Sequence, residues 1–387
     1  MITNNITNAL LSGIEQQTPQ VAPQNVETYL ATIEKAQKDL EKVDPAIALV
    51  DEQPADSEVL AMVAAHQKQV VQSMVSSNPE DAIALTIAAS IEAYSAQLEA
   101  IEQQTKGLGA FEDAMEVMWE DISQTSPLTG YALEDAFQLV LMDVLIHADD
   151  YHLSTEDMNT LQRFMECGGS GMHGSHEYYN GDDFADDIAS LFNSIYNQAP
   201  PDSLAYTITR SMSSQSNCPD ALVQQFEDNW GNLDQWYDDW NNGVGEVSPL
   251  MRMALLSSVL ADESIELTSE EYNMFLTGSL SDIDAFMTDH YGKNTITYIN
   301  SDLDGWNYYY TTSPNEGTGY GMNFWSTQGV TVDYFTELSK NLPARPLTDE
   351  ELKEINRIGD QVKMLQQTLK YWLQICRDEQ MAIARNI

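Results

Sequence analysis

Side chains that could do chemistry gather in four places. The stretch "CGGSGMHGSHEYYNGDD" carries Cys167, His173, His176 and Glu177, with His147 and His152 upstream. Thiolate and imidazole groups suit a transition metal. The spacing fits no zinc pattern and no Cys pair accompanies it, so a surface loop is expected rather than a metal centre. "NSDLDGWNYYYT" sets Asn300, Asp302 and Asp304 at alternate positions with Gly305 next, like the start of a calcium loop. Thr311 stands where that geometry needs a bidentate Glu, and the alternation on both sides favours a β-hairpin turning at Asp304-Gly305. "FEDNWGNLDQWYDDWNNG" puts Trp230, Leu233, Trp236, Tyr237 and Trp240 on one helical face. An aromatic core stripe is the simpler account. A Trp face beside Asp would also hold a glycan or a bile-salt-like amphiphile, which makes Trp230, Trp236 and Trp240 the small-molecule contact candidates. Asp182/Asp183 and Asp238/Asp239 are adjacent carboxylates, but with 61 acids in the chain such pairs carry no catalytic signal. No nucleophile elbow, P-loop or dinucleotide fingerprint is present. The expectation is a protein without catalytic residues, metal or cofactor.

Charge narrows the classes further. Lys and Arg number 17 against 61 Asp and Glu over 387 residues, a formal charge of -44. Residues 343–387 hold seven basic and seven acidic residues, so the imbalance lies wholly in 1–342, with ten basic and 54 acidic. The body has no Lys/Arg cluster that could neutralise phosphate, which excludes nucleic acid and anionic lipid as partners. A high net charge keeps a chain soluble and apart from its copies until an assembly step, and a saline habitat would call for the same surface. Cys167, Cys218 and Cys376 are odd in number and far apart, so three thiols are expected rather than a disulfide framework.

The elements that must position these residues follow from periodicity. Residues 1–25 are polar, interrupted by Pro19 and Pro23, and precede the first basic residue, Lys35. They lack the cationic and apolar regions of a secretory signal peptide and read as a disordered leader of the kind exported uncleaved. No apolar stretch approaches the roughly 18–20 residues of a membrane span. Val26, Tyr29, Leu30, Ile33, Leu40 and Val43 predict a helix, and Ser57–Ser76 a second, giving a helical hairpin over 26–78. Asn78-Pro79 opens a third, in which Ile83, Ile87, Ile91, Tyr94, Leu98 and Ile101 form a coil seam; with further helices this fills 79–167. Residues 168–342 read as a mixed α+β central domain with antiparallel β-hairpins in 294–325. The fold class expected is α+β, mainly α, elongated, with an intramolecular coiled coil that includes a long C-terminal helix in 343–387.

That last helix carries the strongest pattern. Ile355, Ile358, Val362, Leu365, Leu369, Trp372, Cys376 and Ile383 occupy a and d of one heptad register, broken only by Glu379. The e and g positions (Gly359, Gln361, Gln366, Thr368, Leu373, Ile375, Gln380, Ala382) are uncharged, which widens the apolar face and predicts more than one neighbour. The upstream helix at 80–105 is the expected partner. Lys363, Lys370 and Arg377 recur every seven residues as a basic stripe. At the far end Arg377, Met381, Arg385 and Ile387 mix charge with apolar groups, as a docking surface would.

A polar leader, a helical hairpin, a coil helix, a mixed centre and a terminal coil helix resemble the needle-tip proteins of type III secretion, the hydrophilic translocators of the V-antigen and invasion-plasmid-antigen-D class. "ARPLTDEELKEINRIGDQVKMLQQTLKYW" is similar to the V-antigen tail, where an Arg-Pro-Leu like Arg345, Pro346 and Leu347 also precedes the coil helix. The resemblance implies a secreted virulence protein without an active site, located at the bacterial cell surface on the needle tip. It would bind the secretion needle subunit, the pore-forming translocator proteins and its own copies as a small ring, and in some members bile salts near the coil. The competing expectation is a secreted glycan-binding or glycan-hydrolysing protein built on the Trp/Tyr-rich region 226–325.

Overall fold

The structure is a computed structural model and describes residues 26–49, 57–75, 81–170, 181–229, 240, 245–312, 319–324 and 329–385. The helices are, in chain order, α1 (Val26–Glu41), α2 (Asp44–Leu49), α3 (Ser57–Val75), α4 (Asp81–Thr105), α5 (Gly107–Ser123), α6 (Tyr131–Ile146), α7 (Thr155–Cys167), α8 (Gly181–Gln198), α9 (Leu204–Ser216), α10 (Asp220–Asn229), α11 (Pro249–Leu260), α12 (Ser269–Thr277), α13 (Leu280–Tyr291) and α14 (Thr295–Ser301). Strands β1 (Trp306–Thr311) and β2 (Gly319–Phe324) precede α15 (Val332–Lys340) and α16 (Asp349–Arg385). The protein is thus mainly helical with one small antiparallel sheet among the described residues. The chain divides into two units, Met1–Glu102 with Leu347–Ile387, and Gln103–Pro346. Those limits differ from the expected boundaries after residues 78, 167 and 342. The leader expected at 1–25 lies outside the described residues.

The first unit is built from amphipathic faces. On α1, Tyr29, Ile33, Ala36 and Leu40 are buried at helical spacing; on α3, Leu60, Val63, Ala64, Val70, Val71 and Met74 are. None of these faces can be buried by its own helix alone, so they close on one another. One core joins Ile33, Leu40, Val71, Ile91, Leu369 and Trp372, and a second joins Val43, Leu60, Val63, Leu98, Ile355 and Ile358. Low numbers of α1 and α4 thus share a core with high numbers of α16, and α3 runs the other way. Three helices surround α16, with α1 and α4 antiparallel to it and α3 parallel. Each fully buried Leu, Ile or Trp contributes about 2 kcal/mol here. Although 80–105 was the expected partner of the C-terminal helix, α1 and α3 pack closest to it and α4 adds Ile87, Ile91, Leu98 and Ile101.

The second unit surrounds α6. Every residue from Leu133 to Leu145 is buried, four of them polar: Glu134, Asp135, Gln138 and Asp143. A helix apolar on all sides must lie at a centre. An aromatic cluster packs along it, with Phe137 5.2 Å from Phe164 and 5.6 Å from Phe192, ring centre to ring centre. Capping boxes start α7 (Ser154, Asp157), α12 (Thr268, Glu271) and α13 (Ser279, Asp282).

The hairpin expected at 294–313 is displaced. Thr295–Ser301 is helix α14, capped by the Asn294 side chain, which accepts from Thr297 N–H at 3.1 Å. Its Ile and Tyr residues serve a helical face as well as a strand: Thr295, Ile296, Tyr298 and Ile299 are buried. β1 pairs instead with β2, from Trp306 opposite Phe324 to Thr311 opposite Gly319. Gly305, expected in the hairpin turn, leads from α14 into β1 at φ +83°, where a Cβ would come within 2.5 Å of the Phe324 ring.

Candidate assembly helix and its polar knot

α16 starts on a reciprocal cap. Thr348 N–H donates to Glu351 Oε2 at 2.7 Å, and Glu351 N–H to Thr348 Oγ1 at 3.2 Å. From there 37 residues run as one helix, about 55 Å long. The heptad residues Ile355, Ile358, Val362, Leu365, Leu369, Trp372 and Cys376 are all buried. So are the e residues Gly359, Gln366, Leu373 and Gln380, whereas the g residues Gln361, Thr368 and Ile375 are half-buried and Ala382 is exposed. The apolar face therefore widens on one side only, toward the extra neighbours.

Between the two cores sits a polar knot. Gln67 and Gln366 are 0% and 3% exposed. Gln67 Nε2 donates to Gln366 Oε1 at 2.9 Å and to the Val362 carbonyl at 3.3 Å. Gln366 Nε2 donates to the Leu40 carbonyl at 2.8 Å and to Asp44 Oδ1 at 3.0 Å. Lys370 Nζ then closes on Asp44 Oδ1 at 2.7 Å and Oδ2 at 2.6 Å. Partial burial pushes the Asp44 carboxyl up, but the hydrogen bonds from Lys370 and Gln366 outweigh it and hold the group below its ordinary range. Buried amides that can pair in one alignment only fix the sliding register of helices. Sequence reading missed this set, since the uncharged e position was legible but its partners lie 299 to 326 residues away.

The basic stripe splits. Lys370 serves Asp44 of its own unit, and Lys363 lies 3.8 Å from Asp360. Arg377 and Arg385 are exposed and make no ion pair among the described residues. Beyond Cys376 the helix leaves its cores: Glu379, at d, is exposed, Met381 is 38% exposed, Ile383 is half-buried, and only Gln380 is buried. Ile387 lies outside the described residues.

The other singled-out residues separate. Trp240 is 1% exposed and donates its indole N–H to the Glu246 carbonyl at 3.1 Å, a core position no ligand reaches. Trp230 and Trp236 lie outside the described residues, as do His173, His176 and Glu177. His147 bridges two carboxylates, Nε2 3.0 Å from Glu112 Oε1 and Nδ1 3.2 Å from Asp143 Oδ1. Asp302 pairs with Lys293, and Asn300 Oδ1 accepts from Tyr308 N–H at 3.3 Å, so the calcium-like residues serve local structure. Among the described residues no group of three or more His, Cys, Asp or Glu could hold a metal, and no helix is long and apolar enough to cross a membrane. Cys218 and Cys376 are buried and form no disulfide among the described residues, and burial pushes the Cys218 thiol up to about 11.

A second buried polar set stands in the Gln103–Pro346 unit. Glu134 accepts from Gly169 N–H and from the Gln225 amide, each at 2.9 Å. Asp135 accepts from Ser170 N–H at 2.7 Å and Ser170 O–H at 2.6 Å. Arg252, 7% exposed, lies near Asp135 and donates to the Val247 and Phe275 carbonyls at 2.9 and 3.0 Å. Nothing in this set resembles a nucleophile with its base.

No protein-family model matches the chain, and no curated protein and no solved structure matches it.

Proposed function

We propose that this chain is a needle-tip protein of a type III secretion system, a hydrophilic translocator that caps the needle and serves as platform for the pore-forming translocators at a host membrane. The observation that supports the reading most directly is the double character of α16. Up to Cys376 it completes a core with three helices from the other end of the chain. Past Cys376 it outruns that core with Arg377, Met381 and Arg385 exposed. In this reading α1 and α3 are the N-terminal helical hairpin, and α4 with α16, which share both cores, is the intramolecular coiled coil. The protein works by assembly, on the secretion needle subunit, on its own copies and on the pore-forming translocators, with bile salts as the small-molecule signal. Its -44 charge, concentrated outside the tail, would keep copies apart until docking.

Truncation after Cys376 tests the reading. The cut follows Cys376 because that residue is 3% exposed and belongs to the core. The truncated protein is expected to melt within a few degrees of the parent and to be secreted. It is expected to be missing from needles isolated from the producing cells, with delivery of cargo into host cells lost. Truncated protein found on needles at the parent level removes the docking role, and secretion of the parent that does not depend on a needle apparatus removes the needle-tip reading.

A further inference from the structure

His147 caps the C-terminal end of α6 and stands between two carboxylates. Its Nε2 lies 3.0 Å from Glu112 Oε1 on α5. Its Nδ1 lies 3.2 Å from Asp143 Oδ1 and 3.2 Å from the Asp143 carbonyl. With the carboxyls ionised, all three neighbours are acceptors, so the ring needs a hydrogen on each nitrogen. A neutral imidazole has one N–H, and the two Asp143 oxygens take it at Nδ1.

The contact between Glu112 and His147 therefore holds one proton of its own. Carried on Nε2, that proton makes an imidazolium beside a carboxylate. Carried on Glu112, it makes a carboxylic acid that donates to a neutral ring. Without it, two lone pairs face each other at 3.0 Å and the contact opens. Burial pushes the Glu112 carboxyl up, and His147 opposes that push, as two groups that share a proton do.

The frame around this proton is fixed. Asp143 is buried, and its Oδ2 accepts from the Tyr151 hydroxyl at 2.9 Å and from Ala205 N–H, at the start of α9, at 2.8 Å. Burial pushes the Tyr151 hydroxyl up, so it stays a donor. The other charges nearby are Asp150 and Asp113, the latter 3.4 Å from Arg345. The side chains of His147 and Glu112 are 36% and 38% exposed, so solvent can take the shared proton. We propose that Glu112 and His147 form a one-proton latch that ties α5 to the end of α6 and opens as pH rises through neutrality. The folded pair keeps a proton that the separated groups of an unfolded chain release near neutrality, so the closure is present in mild acid and lost toward alkali. The latch lies within the Gln103–Pro346 unit and is independent of the needle-tip reading.

Hydrogen exchange of the full chain at pH 6 and pH 9, with intrinsic rates divided out, tests this on the amides of 109–116 and 143–150. Glu112→Gln supplies a neutral N–H to the ring nitrogen, so its contact needs no shared proton at either pH. At pH 9 these amides are expected to open about tenfold less often in Glu112→Gln than in the parent, and at pH 6 equally often. Glu134 and Asp135 titrate in both proteins, so comparing the two at one pH sets them aside. Equal opening of parent and variant at pH 9, or more opening in the variant at either pH, overturns the proposal.

Discussion

Glu134 and Asp135 are neighbours on α6, both buried and both spent on holding the Gly169-Ser170 turn. Burial is the main influence on each, and for Asp135 the adjacent Glu134 adds to it, so both carboxyls are pushed up to about 7. Their folded values lie above the ordinary carboxyl range, so the folded chain keeps protons that the unfolded chain releases. The stabilisation is fully present below that ordinary range and is lost as pH rises through about 7. Asp135→Asn keeps the geometry, since its carbonyl can accept from Ser170 N–H and its amide can donate to Ser170 Oγ. Melting temperatures of parent and variant between pH 5 and pH 8 are expected to diverge, the parent losing more on the alkaline side, by about 3 kcal/mol at most. Arg252 near Asp135 favours its charged form and opposes the upward push of burial, without outweighing it. A constant difference across that interval would mean the carboxyl does not titrate there. The burial of these acids was legible: "LEDAFQLVLMDVLI" is apolar on every side of the helix, so any acid within it must go inside. What they hold was not, because Gly169 and Ser170 are 35 residues away and no local period points to them.

At the scale of the element, α16 separates what is periodic from what is paired. Its buried positions follow a local repeat, so a, d and e could be counted from the residues alone. Which helices cover them depends on how the chain returns: α4, in the expected 80–105 segment, shares both cores with α16, while α1 and α3 join it from positions no local repeat points to. The 294–313 segment failed differently. Alternating Thr and Ile fits a strand, but Asn294 offers a helix cap and the same residues form a one-sided helical face. Two substitutions probe α16 in one experiment. Leu369→Asp puts a charge at a fully buried site and is expected to cost several kcal/mol, enough to unfold the helical core it shares. Gln366→Leu keeps the volume but strips Gln67, Leu40 and Asp44 of a partner, at a cost of about 2 kcal/mol. Thermal melts followed by circular dichroism rank them. An unchanged midpoint for Leu369→Asp would take the seam out of the fold, and one for Gln366→Leu would reduce the polar knot to a surface detail.

At the scale of the whole molecule, the Gln103–Pro346 unit is an insertion whose two ends meet. Arg345 N–H donates to the Thr105 carbonyl at 2.9 Å, and Gly107 N–H to the Leu342 carbonyl at 2.8 Å. Among the described residues, its apolar core runs from Ala110 to Leu342 and draws on this unit alone. Ends that close together can be bridged by a few residues. Joining Glu102 to Leu347 through a short Gly/Ser linker is expected to give a helical protein that melts cooperatively without the insertion. A non-cooperative melt would show that the four helices need the larger unit to fold. The same chain order has a consequence in time. Synthesis proceeds from one end, and α1, α3 and α4 emerge long before α16, whose Gln366 contacts the Leu40 carbonyl across 326 residues. At about 5–20 residues per second, the first three helices wait on the order of tens of seconds for their fourth wall. During that interval the inserted unit has everything it needs and they do not. A released chain ending at Pro346 is therefore expected to resist brief proteolysis over 103–346 and to be cut within 26–102, so that the part made first is the part finished last.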